Sequence, residues 1–256
     1  MPDILPDDWK PQATMKRIHL HWTAGNHKAN STDKRSYHIL VEGDGNLVRG
    51  DRPISANAKG SGVKQASHTK NANTGAIGVS LCCMTGAKER PFHAGKQPMT
   101  QTQWDKGMQV LEELADAYSI PITSKTILTH AEVQPNLNIK QNNKWDIVRL
   151  AFDSSVKGFK DVGDLMRSSV AELRDARSSS IPHEDIDPIH KFDRYRVTGV
   201  DPSTLNFRSS PNGPKVGELP ERTTVEFISA IGHWWQVRTR LGYVGWVWSE
   251  YLKPMG

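Results

Sequence analysis

Cysteine is nearly absent from this chain of 256 residues: there are two, Cys82 and Cys83, and they are neighbours. Successive residues of a strand point to opposite faces, so the pair reads as two small buried hydrophobes, and a fold built on disulfides is excluded. Long apolar runs are also missing, and nothing approaches the roughly 18 residues that a membrane span needs. Charge of one sign is not concentrated either. The formal net charge is +5, yet lysine and arginine are interleaved with acids and form no run of five. Such a mild bias suits an anionic polymer surface and leaves no footprint for nucleic acid, so no nucleic-acid partner is expected. Residues 1–8 have no basic start, no apolar core and no small-residue cleavage site; synthesis in the cytoplasm without a signal peptide is the expectation.

What is present is enough for a core. At 36% apolar content the chain suits one medium domain and a small one. From Lys16 to Trp22, Ile18, Leu20 and Trp22 alternate with Arg17, His19 and His21, the pattern of a strand with a polar, functional edge. A second strand runs from Tyr37 to Glu42, turns at Gly43-Asp44-Gly45-Asn46 and resumes at Leu47-Val48-Arg49. Ala76 to Cys83 is almost continuously apolar and reads as a central strand. Thr100 and Gln103 make a capping-box pattern ahead of Trp104, Met108, Leu111, Ala115 and Tyr118 at helical spacing. Ile127-Leu128-Thr129 is a short strand that delivers His130, and Ile147 to Phe152 is a short amphipathic piece.

Past Asp153 the character changes. Val162, Leu165, Val170 and Leu173 indicate one more helix, and Ser178 to Pro182 with Asp185 to Pro188 read as linker. The remainder has short strand-like runs about ten residues apart, the mark of a small all-β barrel. The expected division is 1–152 for a catalytic domain, 153–191 for a helical segment and linker, and 192–256 for the barrel.

Three segments far apart each carry a residue that binds metal: His21 in His21-Trp22-Thr23-Ala24-Gly25, His130 in Thr129-His130-Ala131-Glu132, and Asp146 in Lys144-Trp145-Asp146. Two imidazoles and a carboxylate are a common catalytic zinc set, because three protein ligands leave a fourth position for water.

These residues, in this order, resemble the zinc-dependent N-acetylmuramoyl-L-alanine amidases, which include phage amidase-type lysozymes, muropeptide amidases and animal peptidoglycan-recognition proteins. The resemblance covers roughly residues 15 to 152. Its carriers are His21-Trp22-Thr23-Ala24, Tyr37-His38 with Asp44-Gly45, His68 ahead of Ile77-Gly78-Val79, His130, and Lys144 with Asp146. It implies an α/β fold with a mixed central sheet flanked by helices, and a Zn2+ cofactor on His21, His130 and Asp146. The implied reaction is hydrolysis of the amide between N-acetylmuramic acid and L-alanine in peptidoglycan. Two departures stand out. Ser80 occupies the place where recycling members carry a glutamate base, and Ile147-Val148 replaces a Pro-Gly after the third ligand.

On physical grounds Lys144 is the first choice for stabilising the oxyanion, an effect of about 3 kcal/mol for one donor, with Tyr37 second. His68 is a candidate substrate contact or a scaffold residue, Thr23 and Trp22 are candidate substrate contacts, and Glu132 and His38 are candidate supports of the ligands, with a role as base another reading of Glu132. Glu132 reads equally well as a carboxylate capping a helix N-terminus. His19 is expected to be a supporting or core histidine, His27 a surface residue and His93 a surface residue near the groove rim. His183 and His190 are expected to be idle in the linker.

The C-terminal segment resembles bacterial SH3-like wall-binding domains through Leu205-Asn206-Phe207-Arg208-Ser209-Ser210-Pro211, Trp234-Trp235-Gln236-Val237-Arg238 and Gly245-Trp246-Val247. Trp235 and Trp246 are the expected wall contacts. Tethering by such a module raises the effective concentration of the enzyme on a polymer with many equivalent bonds. The combined expectation is an endolysin-like lytic enzyme that reaches the wall after release or specialised export. The alternatives are a cytosolic muropeptide-recycling amidase and a non-catalytic peptidoglycan-binding protein.

Overall fold

The computed structural model describes residues 3–179 and 194–255. It divides into two compact units, one ending at Arg174 and one beginning at Asp175. Ser178 and Ser179, expected in the linker, instead end a helix, and residues 180–188, with His183 and His190, lie outside the described residues.

The first unit is built on a five-stranded sheet of order β3-β2-β4-β1-β5, with β1 Arg17–Trp22, β2 Ile39–Val41, β3 Leu47–Arg49, β4 Ala76–Leu81 and β5 Ile127–Thr129. β1 pairs in parallel with β4 and β5, β2 in parallel with β4, and only β3 runs antiparallel to β2. The sheet is therefore mixed, as expected. β1 lies between β4 and β5, and every residue from Ile18 to Trp22 is buried. The alternation in β1 separates an apolar face from a histidine face, both of them covered.

The helices follow from local signals. In α2, Gln101–Ala117, the Thr100 side chain accepts from the Gln103 amide and the Gln103 side chain accepts from the Thr100 amide. The buried face of α2 carries Trp104, Met108, Leu111 and Ala115 against the sheet. Two short helices are new relative to the sequence reading: α1 Ser31–Ser36, capped by Asn30, and α3 His130–Leu137. α4, Phe159–Ser179, buries Val162, Met166 and Val170 in the same core. This apolar stripe is why the first unit extends past residue 152. Cys82 and Cys83 are free thiols buried in that unit, as expected of small hydrophobes.

The second unit is an all-antiparallel sheet of order β12-β6-β9-β10-β11-β7-β8. Its strands are β6 Arg194–Val197, β7 Thr204–Arg208, β8 Lys215–Pro220, β9 Thr224–Ile231, β10 Trp234–Thr239, β11 Val244–Trp248 and β12 Leu252–Pro254. All seven strands send side chains into one core, among them Tyr195, Phe207, Leu219, Val225, Trp235, Val247 and Leu252. A sheet whose two edges serve one core is curled on itself, the SH3-like arrangement.

Candidate metal centre

Three elements converge at the C-terminal end of the parallel strands. β1 presents His21, α3 opens with His130 directly after β5, and the loop beyond α3 returns Asp146, whose carbonyl accepts from the Ala131 amide at 2.7 Å. His21 Nδ1 lies 3.0 Å from His130 Nδ1, and both nitrogens lie 3.1 Å from Asp146 Oδ2. A tetrahedral zinc with bonds of about 2.0–2.1 Å separates its ligand atoms by about 3.3 Å. The observed triangle is thus the right size for a small divalent cation, and its donor set is chemically suited to one. His21 and His130 are buried, and Asp146 is 7% exposed.

The electrostatics favour ligand donation. Burial holds the His21 imidazole down at about 4, against the opposing pull of the nearby Asp146 carboxylate, so the ring is neutral at pH 7. Burial alone would raise the Asp146 carboxyl, but its close interactions with the His130 and His21 rings outweigh it and keep the group down at about 2.

The far nitrogens of the two rings are held as well. His130 Nε2 meets Gln141 Oε1 at 3.1 Å. His21 Nε2 meets His68 Nδ1 and Thr69 Oγ1, each at 3.3 Å. His19, His21 and His68 form a second group of possible ligand atoms around the Thr69 hydroxyl. That group would use the opposite nitrogen of His21 and contains no carboxylate, so the first cluster is the better cation site.

Tyr37 packs its ring 5.2 Å from that of His21. Burial raises its phenol above the ordinary range, the Asp146 charge adds to this, and the neighbouring Ser80 hydroxyl opposes it, so Tyr37 stays protonated at neutral pH. Lys144 is exposed and lines a groove of about 420 Å³ with His130, Gln134, Lys140, Asn143 and Phe159.

Other candidates fall elsewhere. Trp22, expected at the substrate, is buried in the core, edge to face with Trp145 at 4.7 Å. His68 stands behind His21, packed against the rings of His19, His21 and His38, because Gly78 makes room: a Cβ there would come within 2.5 Å of the His68 ring. This ring supports His21 and does not face the groove. Thr23 is half-buried and its hydroxyl accepts from the Gly25 amide at 3.0 Å, shaping the turn after β1. His38 accepts from the Gly78 amide at 2.9 Å, a support within the sheet. His19 is fully buried on Thr69, His27 reaches the Pro98 carbonyl, and His93 is exposed and accepts from the Gly95 amide.

Glu132 has Thr129, Asn136 and Arg167 as its hydrogen-bond partners, and none of the three ligands is among them. Its carboxylate accepts from the Thr129 amide at 2.9 Å and from both terminal nitrogens of Arg167 at 2.9 and 3.0 Å, capping α3 and tying it to α4. A Cβ at Gly163 would fall 2.1 Å from that carboxylate, so α4 needs glycine there.

Gln141, Thr69 and Arg167 were not found by sequence reasoning. All three are polar residues whose partners come from distant segments, and only the place of Gln141 between α3 and Lys144 hinted at a role.

The residues just described coincide with a family model. The model for N-acetylmuramoyl-L-alanine amidase matches residues 11–147. The chain belongs to the N-acetylmuramoyl-L-alanine amidase family. Residues 203–253 match the bacterial SH3 domain. Solved structures resemble the amidase part of the fold at low identity. The endolysin amidase LysCS of Clostridium intestinale URNW is 18% identical over 52% of this chain and 88% of its own, with a TM-score of 0.33. The Ph2119 endolysin from a Thermus scotoductus bacteriophage is 14% identical over 54% and 82%, with 0.36. The amidase AmiD from E. coli, solved with anhydro-N-acetylmuramic acid-L-Ala-D-gamma-Glu-L-Lys, is 20% identical over 47% and 50%, with 0.34. No curated protein matches the chain.

In the SH3-like part both tryptophans expected at the wall are buried. Trp235 is 8% exposed and sits in the barrel core, edge to face with Tyr195 at 4.7 Å and Phe227 at 5.1 Å. Trp246 is 9% exposed. Being two residues apart, Trp246 and Trp248 share one face, with Trp234 opposite Trp248 across the ladder. The tryptophans that reach solvent are Trp234 and Trp248, half-buried, which line a groove of about 280 Å³ with Asn206, Arg208 and Tyr251.

Proposed function

We propose that this family member is a zinc-dependent peptidoglycan amidase that hydrolyses the bond between N-acetylmuramic acid and L-alanine, in the manner of an endolysin. The observation that carries the reading is the convergence of His21 Nδ1, His130 Nδ1 and Asp146 Oδ2 within 3.0–3.1 Å of one another. Bound zinc supplies Lewis acidity, which activates water near neutral pH and polarises an amide carbonyl. The chain's own residues do the rest. His21, His130 and Asp146 hold the cation. The Lys144 ammonium, two positions before Asp146 and free to reach into the groove, donates to the oxygen that gains charge as the amide carbon becomes tetrahedral. Tyr37 keeps its proton and acts as a second donor, not as a base. Glu132 is committed to Arg167 and α3 and takes no part in proton transfer.

In the C-terminal unit, the exposed faces of Trp234 and Trp248 are the surfaces on which sugar or peptide stacks, and this module keeps the catalytic unit on the polymer. Among the described residues no helix is long and apolar enough to cross a membrane. The test is digestion of intact sacculi with mass spectrometry of the fragments. Release of whole stem peptides with a new L-alanine amine supports the reading. Turnover confined to soluble anhydro-muropeptides points to a recycling enzyme, and cleavage inside the stem peptide to a different amide hydrolase.

A further inference from the structure

Gln141 is buried, and its side-chain amide has only one sensible orientation. Nε2 lies 2.9 Å from the Lys70 carbonyl and 3.3 Å from the Ile139 carbonyl, two acceptors that require the NH2 group. Oε1 therefore faces His130 Nε2 at 3.1 Å, and an oxygen that only accepts demands a proton on that nitrogen. The backbone amide of Gln141 donates to Gln134 Oε1 at 2.8 Å, which fixes the residue further. In the neutral imidazole that acts as a metal ligand, this tautomer turns the lone pair of His130 Nδ1 toward His21 and Asp146.

The same turn reaches the other ring. Thr69, one residue before Lys70, places Oγ1 3.3 Å from His21 Nε2, 2.9 Å from His68 Nδ1 and 3.0 Å from His19 Nδ1. A hydroxyl with one proton and two lone pairs serves three nitrogens by donating to one and accepting from two, which accommodates a proton on His21 Nε2. The turn is itself held: the Thr69 amide donates to Asn73 Oδ1 at 2.8 Å, and buried Asn57 accepts from the Ala66 amide at 2.8 Å and donates to the Ala66 carbonyl at 3.0 Å.

We propose that Gln141, held by the Lys70 carbonyl, fixes the proton of His130 on Nε2, and that Thr69 on the same turn offers an acceptor for a proton on His21 Nε2, so that the Nδ1 atoms stand ready for the cation before it binds. Gln141 and Thr69 are positioning residues in this role. The inference rests on the metal-centre reading but not on which bond the enzyme cuts.

The experiment uses the full chain and zinc alone. In the metal-free protein at pH 7, nitrogen NMR of the histidine rings is expected to show His130 as the Nε2–H tautomer, and Gln141→Leu to show a mixture. Competition with a chromogenic chelator is expected to give about 10- to 100-fold weaker zinc binding for Gln141→Leu and Thr69→Val, with Thr69→Ser close to the parent. A merely structural role would lower the melting temperature and leave the tautomer unchanged. An Nδ1–H tautomer of His130 in the parent protein, or zinc affinity of folded Gln141→Leu within twofold of the parent, overturns the proposal. A parent protein that shows the tautomer and binds zinc but releases no stem peptides leaves the proposal standing and removes the amidase reading.

Discussion

Replacing Glu132 by glutamine separates a structural role for this residue from a catalytic one. The carboxylate is buried and receives two hydrogen bonds from Arg167, whose side chain is itself largely buried. Removing one partner of such a pair strands the other charge, at a cost of about 3–5 kcal/mol. Arg167 keeps Asp164 at 2.8 Å and the Ile127 carbonyl at 3.0 Å, so the lower end, about 3 kcal/mol, is expected. For a unit of this size 1 kcal/mol corresponds to roughly 2–4 °C, which places the loss in melting temperature at about 6–12 °C. Thermal unfolding followed by tryptophan fluorescence measures it. Assayed at 20 °C, where the variant remains folded, hydrolysis of sacculi should stay within a few-fold of the parent. A melting temperature within 2 °C of the parent, or a loss of turnover of the size expected for a general base, about 10²- to 10⁴-fold, would refute the reasoning.

Three further outcomes follow from the same geometry. Lys144→Ala should keep its zinc and lose about 10²- to 10³-fold in turnover; an unchanged rate removes the lysine from the mechanism. Trp234→Ala and Trp248→Ala should each weaken pelleting with sacculi without unfolding the second unit, whereas Trp235→Ala should cost about 3–5 kcal/mol of its stability. Equal pelleting by the parent and both groove variants would displace the groove as the wall contact. The metal-free protein should lose stability as pH falls from 6.5 toward 4. Burial depresses His19, His21, His38 and His68, so the unfolded chain binds more protons in this window, at about 3 kcal/mol each for His21 and His38. The depressed Asp146 carboxyl adds its own loss only below its ordinary value of 3.8. A urea midpoint that does not move between pH 7 and pH 4.5 contradicts the burial of these rings.

Much of the site was legible because its carriers sit in strongly patterned segments. Alternation in residues 16–22 put His21 on a strand, and the run from Ala76 to Leu81 was recognisable as an interior strand because both of its faces are apolar. The capping box at Thr100 announced α2 by local chemistry alone. What escaped was set by tertiary contact. Whether His68 faces substrate or backs His21 depends on the space above Gly78, whose amide is held by His38 forty residues away. Gln141 is uncharged and lies in an irregular loop, so no periodicity marks it. Trp22 carried a family motif yet follows the apolar phase of its own strand, and that phase correctly indicates the core. Trp246 and Trp248 are two residues apart and share a face, so alternation could not separate the buried Trp246 from the half-buried Trp248.

The central claim is that one divalent cation is shared by two imidazoles and one carboxylate. Anomalous scattering from a crystal grown with zinc, recorded on both sides of the zinc absorption edge, tests it most directly. The account predicts a peak about 2.0–2.2 Å from His21 Nδ1, His130 Nδ1 and Asp146 Oδ2. A zinc peak elsewhere with this triangle empty, or an ion bound by His19, His21 and His68, would contradict it.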